Sequence, residues 1–118
     1  MPFYLRARTY FQYAQLLLDD VLSGKKRLSF NHLKEIFWQA LKALYALSET
    51  KVPETPPTPE EVINKILSTL NEREREKILF LKDIFFSEKT SDIDPRELRT
   101  LFEEIKDIMG WLKGMLKI

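Results

Sequence analysis

The stretch TKVPETPPTPEE, Thr50 to Glu61, decides how the chain divides. It holds four of the six prolines. Proline lacks the amide donor and pushes the residue before it toward extended backbone, so residues 50–57 form a stiff connector, neither helix nor central strand. Its last four residues, TPEE, read as a capping box that opens a helix: Thr58 is the N-cap, Pro59 takes the first helical position and Glu61 reaches back. NERE at Asn71–Glu74 and DPRE at Asp94–Glu97 repeat that logic, the latter with Ile93 and Leu98 as a hydrophobic staple. The half of the chain after the connector is thus a short helix over 59–70, a helix from Asn71 to about Glu88, and a last helix carrying Leu98, Leu101, Phe102, Ile105, Ile108, Met109, Leu112 and Leu116.

Before the connector, Phe3, Ala7, Tyr10, Ala14, Leu17 and Val21 alternate steps of four and three, the seam of an amphipathic helix that Ser23 and Gly24 stop. A second helix runs from about Ser29 to Ser48 with Leu33, Ile36, Phe37, Ala40, Leu41, Leu44 and Leu47 on one face, and Ala40, Ala43 and Ala46 thin its surface for a close neighbour. No segment alternates polar and apolar residues as a half-buried strand does, and no Asn-Gly or Asp-Gly hairpin turn occurs. The fold class that follows is all-α: an antiparallel up-and-down bundle of four longer helices plus one short helix, in a single domain spanning 1–118.

Composition narrows the function. With 19 basic and 18 acidic residues the formal charge is +1, which gives no global footprint for coating nucleic acid. The absence of cysteine removes disulfides, thiol nucleophiles and thiolate metal sites. Near the amino terminus the longest apolar run is Leu16–Leu18, too short for a signal sequence or a membrane span, so the expectation is a cytoplasmic protein with no membrane role. Few Asn and Gln beside abundant Lys, Glu, Leu and Ile lean toward a thermophile's composition.

Two stretches, WQALKALYAL at Trp38–Leu47 and IKDIMGWLKGML at Ile105–Leu116, together with the long aromatic-rich first helix, resemble the HEPN family (higher eukaryotes and prokaryotes nucleotide-binding), in particular its small archaeal and bacterial helical-bundle members. The resemblance spans nearly the whole chain. It implies an antiparallel bundle, often a homodimer, frequently paired with a small nucleotidyltransferase in toxin–antitoxin systems. Many catalytic members are ribonucleases with an Arg-x4-6-His motif.

RLSFNH, Arg27–His32, has that spacing and holds the only histidine. In the family's ribonucleases the pair lies in the second half of the domain with a polar residue after the arginine; here it lies between the first two helices and Leu28 follows Arg27. The alternative is local: if Ser29 caps the second helix, His32 falls at its third position, a partly exposed helix-start residue. His32 and Glu35 stand at i and i+3, but a di-iron bundle needs Glu-x-x-His on two helices, so neither metal nor cofactor is expected. The acidic pairs Asp19–Asp20 and Glu103–Glu104 point about 100° apart on a helix and read as solvated faces. In NEREREK, Arg73 and Arg75 have carboxylates close by to pair with.

Lys25, Lys26 and Arg27 form the best candidate for anion binding, with Arg6 and Arg8 joining them only in an oligomer; the plainer reading is basic charge just beyond a helix end, complementing the macrodipole. The clearest sign of interaction is apolar surplus. KILFLKDIFF, with Phe80, Phe85 and Phe86, covers more than one stripe of a helix, and Gly110, Trp111 and Gly114 permit close helix approach; either these residues pack within the bundle or they meet another subunit. The expectation is therefore a noncatalytic, HEPN-like helical interaction module that self-associates through apolar helix faces, as the resemblance implies. A divergent metal-independent ribonuclease using Arg27 and His32, or a helical subunit of a nucleic-acid-binding complex, are the alternatives.

Overall fold

The structure, a computed structural model, describes residues 2–48, 57–86 and 94–117, with the backbone alone for residues 2–4. All regular structure among them is helical: α1 (Pro2–Leu22), α2 (Phe30–Ser48), α3 (Pro59–Leu67), α4 (Glu72–Phe85) and α5 (Pro95–Leu116). Most of the proline connector, and Ile93 of the expected staple, lie outside the described residues.

Local chemistry accounts for the helix starts. At α4 the full capping box closes: the Glu74 amide donates to Asn71 Oδ1 at 2.8 Å and the Asn71 amide donates to Glu74 Oε1 at 3.1 Å. At α3 only the forward half forms among the described residues, the Glu61 amide donating to Thr58 Oγ1 at 3.2 Å. At α5 the Asp94 backbone (φ −56, ψ 141) aims its carboxylate at the nearer Arg96 amide, 2.9 Å, so the expected box with Glu97 is replaced by a simpler cap. α3 ends at Leu67, earlier than its apolar pattern suggests. Ser68 Oγ donates to the Lys65 carbonyl at 2.7 Å and Thr69 Oγ1 to the Ile66 carbonyl at 2.8 Å, local bonds that compete with continuing the helix.

One core draws on all five helices. α1 packs along α2 in the most extensive helix pair; α2 also touches α3 and α5, and α5 reaches back to α1. Ala7 and Ala14 on α1 and Ala40, Ala43 and Ala46 on α2 are buried, so the small residues do lie where helices meet. α4 is held differently, by bulk. Phe85 is interior, its ring centroid 5.2 Å from Phe30 and 5.3 Å from Phe37, while Phe86 lies 5.7 Å from Phe37 and edge-on to Trp38 at 6.1 Å. Each such pair adds about 0.5–1.5 kcal/mol beyond the apolar area it buries.

Candidate functional site

The junction of α1 and α2 holds the residues that first suggest catalysis. α1 stops where Gly24, at φ +82, turns the chain, a backbone conformation that glycine adopts without strain. The Gly24 amide donates to the Val21 carbonyl at 3.2 Å and the Lys26 amide to the Asp20 carbonyl at 2.9 Å, which satisfies carbonyls at the helix end. Lys25, Lys26 and Arg27 are exposed on this turn, and no side-chain hydrogen bond or ion pair holds Arg27 among the described residues.

Ser29 caps α2 as its spacing suggests: its Oγ accepts from the His32 amide at 3.2 Å, and its carbonyl from the Leu33 amide at 3.0 Å. The half-buried imidazole has a partner that the sequence does not announce. His32 Nε2 lies 2.8 Å from the Leu17 carbonyl on α1. A carbonyl oxygen only accepts, so Nε2 carries the proton and donates. One ring nitrogen is thereby committed to tying α2 to α1, and proton exchange at that atom would break the tie. No bond joins His32 to Arg27. Glu35, the other residue of the i, i+3 pair, accepts from Gln39 at 2.8 Å. No group of three or more metal-ligating side chains exists among the described residues.

A second polar site lies between α4 and α5. Lys77, its side chain 16% exposed, sits 2.9 Å from Glu104 Oε2 and 2.8 Å from Asp107 Oδ2, with its ammonium 5.5 Å from the centre of the Trp111 ring. Burial pushes its pKa down, but the hydrogen bonds to Asp107 and Glu104 and the attraction of both carboxylates outweigh that and hold it above the ordinary lysine value. Asn71, Arg73 and Lys106 line the same open groove of about 460 Å³. This ion cluster fastens α4 to α5. Arg73 and Arg75, the cations expected to pair, are exposed and form no ion pair among the described residues. Glu103 turns away from Glu104 to Lys106, 3.5 Å distant, as adjacent helix positions must.

The interface candidates separate on inspection. Phe85, an interface candidate, belongs to the interior, so at this position the apolar surplus is spent within the bundle and not on an outward face. Phe86 is half-buried against Phe37 and Trp38, and Trp111 is half-buried under Lys77. Gly110 and Gly114 are exposed, and a Cβ at either would meet nothing within 4 Å, so no helix of the chain uses the close approach they allow. Of these candidates Phe80 alone, 51% exposed, projects a large apolar group outward, beside a groove shared with Ile84 and Leu101.

The outer face of α1 carries large apolar side chains as well. Leu5, Tyr13 and Leu16 are 60%, 47% and 58% exposed, on the side of the helix away from the buried Ala7, Phe11, Ala14 and Leu18. Phe11 and Leu18 also fall outside the Phe3–Val21 seam but are buried beside it, whereas Leu5, Tyr13 and Leu16 are left on the outward side. No helix is long and apolar enough to cross a membrane among the described residues. Compared with known family models, curated proteins and solved structures, the chain matches none.

Proposed function

We propose that the chain is a noncatalytic helical interaction module of HEPN-like type, its five helices running alternately up and down, that associates with a second copy of itself through an apolar helix face. The observation that carries this reading is the outer face of α1, where Leu5, Tyr13 and Leu16 stand in solvent on a helix whose opposite side is core. Single exposed leucines are ordinary; a row of three large side chains on one face of one helix is a surface suited to burial. The use of His32 Nε2 as a structural donor supports a noncatalytic role.

Light scattering over a concentration series tests the proposal. The weight-average mass should rise from 14.0 kDa toward twice that value as concentration increases. A mass that stays at the monomer value up to about 1 mM, a free energy of association weaker than about −4 kcal/mol, refutes it. A small nucleotidyltransferase is the hetero-partner that the HEPN resemblance supplies, and calorimetric titration of the chain into such an enzyme tests that separately.

A further inference from the structure

The charges that flank the apolar row of α1 determine how two copies would meet. Arg6 and Arg8 lie toward its amino-terminal end and Asp19 and Asp20 in its last turn. None of the four forms an ion pair among the described residues; Asp19 only accepts a hydrogen bond from Gln15 at 2.9 Å. They are too far apart to pair within one helix, since eleven to fourteen residues at 1.5 Å each span about 16–21 Å. The layout also opposes the helix's own preference. A helix end favours cations near its last carbonyls, yet the last turn of α1 carries two carboxylates and no base.

Position around the helix resolves both oddities. Arg8 and Asp19 are eleven residues apart, about three turns, and so share one flank of the Leu5–Leu16 row; Arg6 and Asp20, fourteen apart and about four turns, share the other. When two identical helices meet antiparallel about a twofold axis, residues on the same flank face one another across the interface. The midpoint of Arg6 and Asp20 is residue 13, and that of Arg8 and Asp19 falls between residues 13 and 14. Both pairs therefore fit one register, with Tyr13 at the axis.

Resting on the self-association reading above, we propose that α1 pairs antiparallel with α1 of a second copy about Tyr13, placing Arg6 and Arg8 of each chain opposite Asp20 and Asp19 of the other, with Leu16 packed over the partner's Thr9. A helix of 21 residues offers a strip about 31 Å long and about 10 Å wide, roughly 600 Å² in total over two copies. That is below the ~1,200 Å² of stable interfaces, so the dimer is weak and depends on concentration.

Charge reversal and cross-linking test it together. The double variants Arg6→Glu/Arg8→Glu and Asp19→Lys/Asp20→Lys each suit the helix dipole better than the native residues, so both should keep their fold by circular dichroism. Each alone should dimerise at least about tenfold more weakly than the native chain, and the variant carrying all four changes should recover native affinity. Because the chain has no cysteine, Tyr13→Cys should oxidise to a covalent dimer, whereas Leu5→Cys, about 24 Å from its copy across the axis, should not. A monomeric native chain overturns self-association itself. A native dimer whose strength ignores the reversals, or that cross-links through Leu5→Cys and not Tyr13→Cys, overturns the antiparallel α1 pairing alone.

Discussion

Replacing His32 with alanine separates a structural histidine from a catalytic one. The substitution removes the 2.8 Å bond from Nε2 to the Leu17 carbonyl but leaves the Ser29 cap intact, because that cap uses the backbone amide of residue 32. A net hydrogen bond contributes about 0.5–1.5 kcal/mol, and the freed carbonyl belongs to the interior of α1, where the helical ladder still engages it. The expected loss is therefore about 1 kcal/mol. With an unfolding entropy of about 2.1 cal/mol/K per residue, 118 residues give roughly 0.25 kcal/mol/K, so Tm should fall by about 4 °C in scanning calorimetry. His32→Gln carries an amide donor of comparable reach and should recover at least half of that shift. Nitrogen NMR should show Nε2 protonated in the native chain. The reasoning is refuted if His32→Ala leaves Tm unchanged within 1 °C while abolishing an RNA-cleaving activity of the native protein, since loss of a general acid or base is a drop of about 10²–10⁴ in rate.

Other substitutions probe the remaining ties. Phe85→Ala should cost about 3–5 kcal/mol and make α4 the first segment cut in limited proteolysis, because the ring is the anchor between Phe30 and Phe37. Lys77→Met should destabilise the fold at neutral pH. Lys77 has a pKa raised above its unfolded value near 10.5, so its contribution is full below that value and fades as pH rises through the folded one. The difference between native and Lys77→Met melting curves should accordingly be flat from pH 7 to about 10 and narrow above it. Gly110→Ala and Gly114→Ala should each stabilise α5 by up to about 1 kcal/mol, as the new methyl meets nothing. Loss of self-association in that pair would move the interface from α1 to α5.

What was legible in the sequence was what depends on neighbours along the chain. Asn71 and Glu74 find each other three residues apart, and Ser29 caps its own helix, so helix starts follow from spacing. Helix ends are less so: the apolar pattern carries α3 on to Leu70, which is buried, whereas Ser68 and Thr69 end the helix sooner by bonding backward. The polar ties between helices are distant in sequence. His32 meets Leu17 fifteen residues away and Lys77 meets Asp107 thirty away, and no periodicity encodes either meeting. The place of Phe85 is left open by the sequence for a related reason. A run as greasy as KILFLKDIFF shows that much must be buried, but the choice between the chain's own interior and another molecule is made by where Phe30 and Phe37 stand on α2.

These placements bear on function by subtraction. Two groups able to move protons or hold ions are already engaged: the sole histidine donates to α1, and Lys77 neutralises Glu104 and Asp107. Engaged groups of this kind rigidify the fold, and putting them to chemical work would mean breaking the contacts that hold α2 and α4 in place. The outer face of α1 carries no such duty. Its leucines and tyrosine contribute nothing to the core, and its two carboxylates sit at the helix end that disfavours them. Residues that serve neither the core nor the helix they belong to are best accounted for by a contact outside the chain, and their self-complementary order, basic then acidic about Tyr13, makes a second copy the partner that satisfies all of them at once.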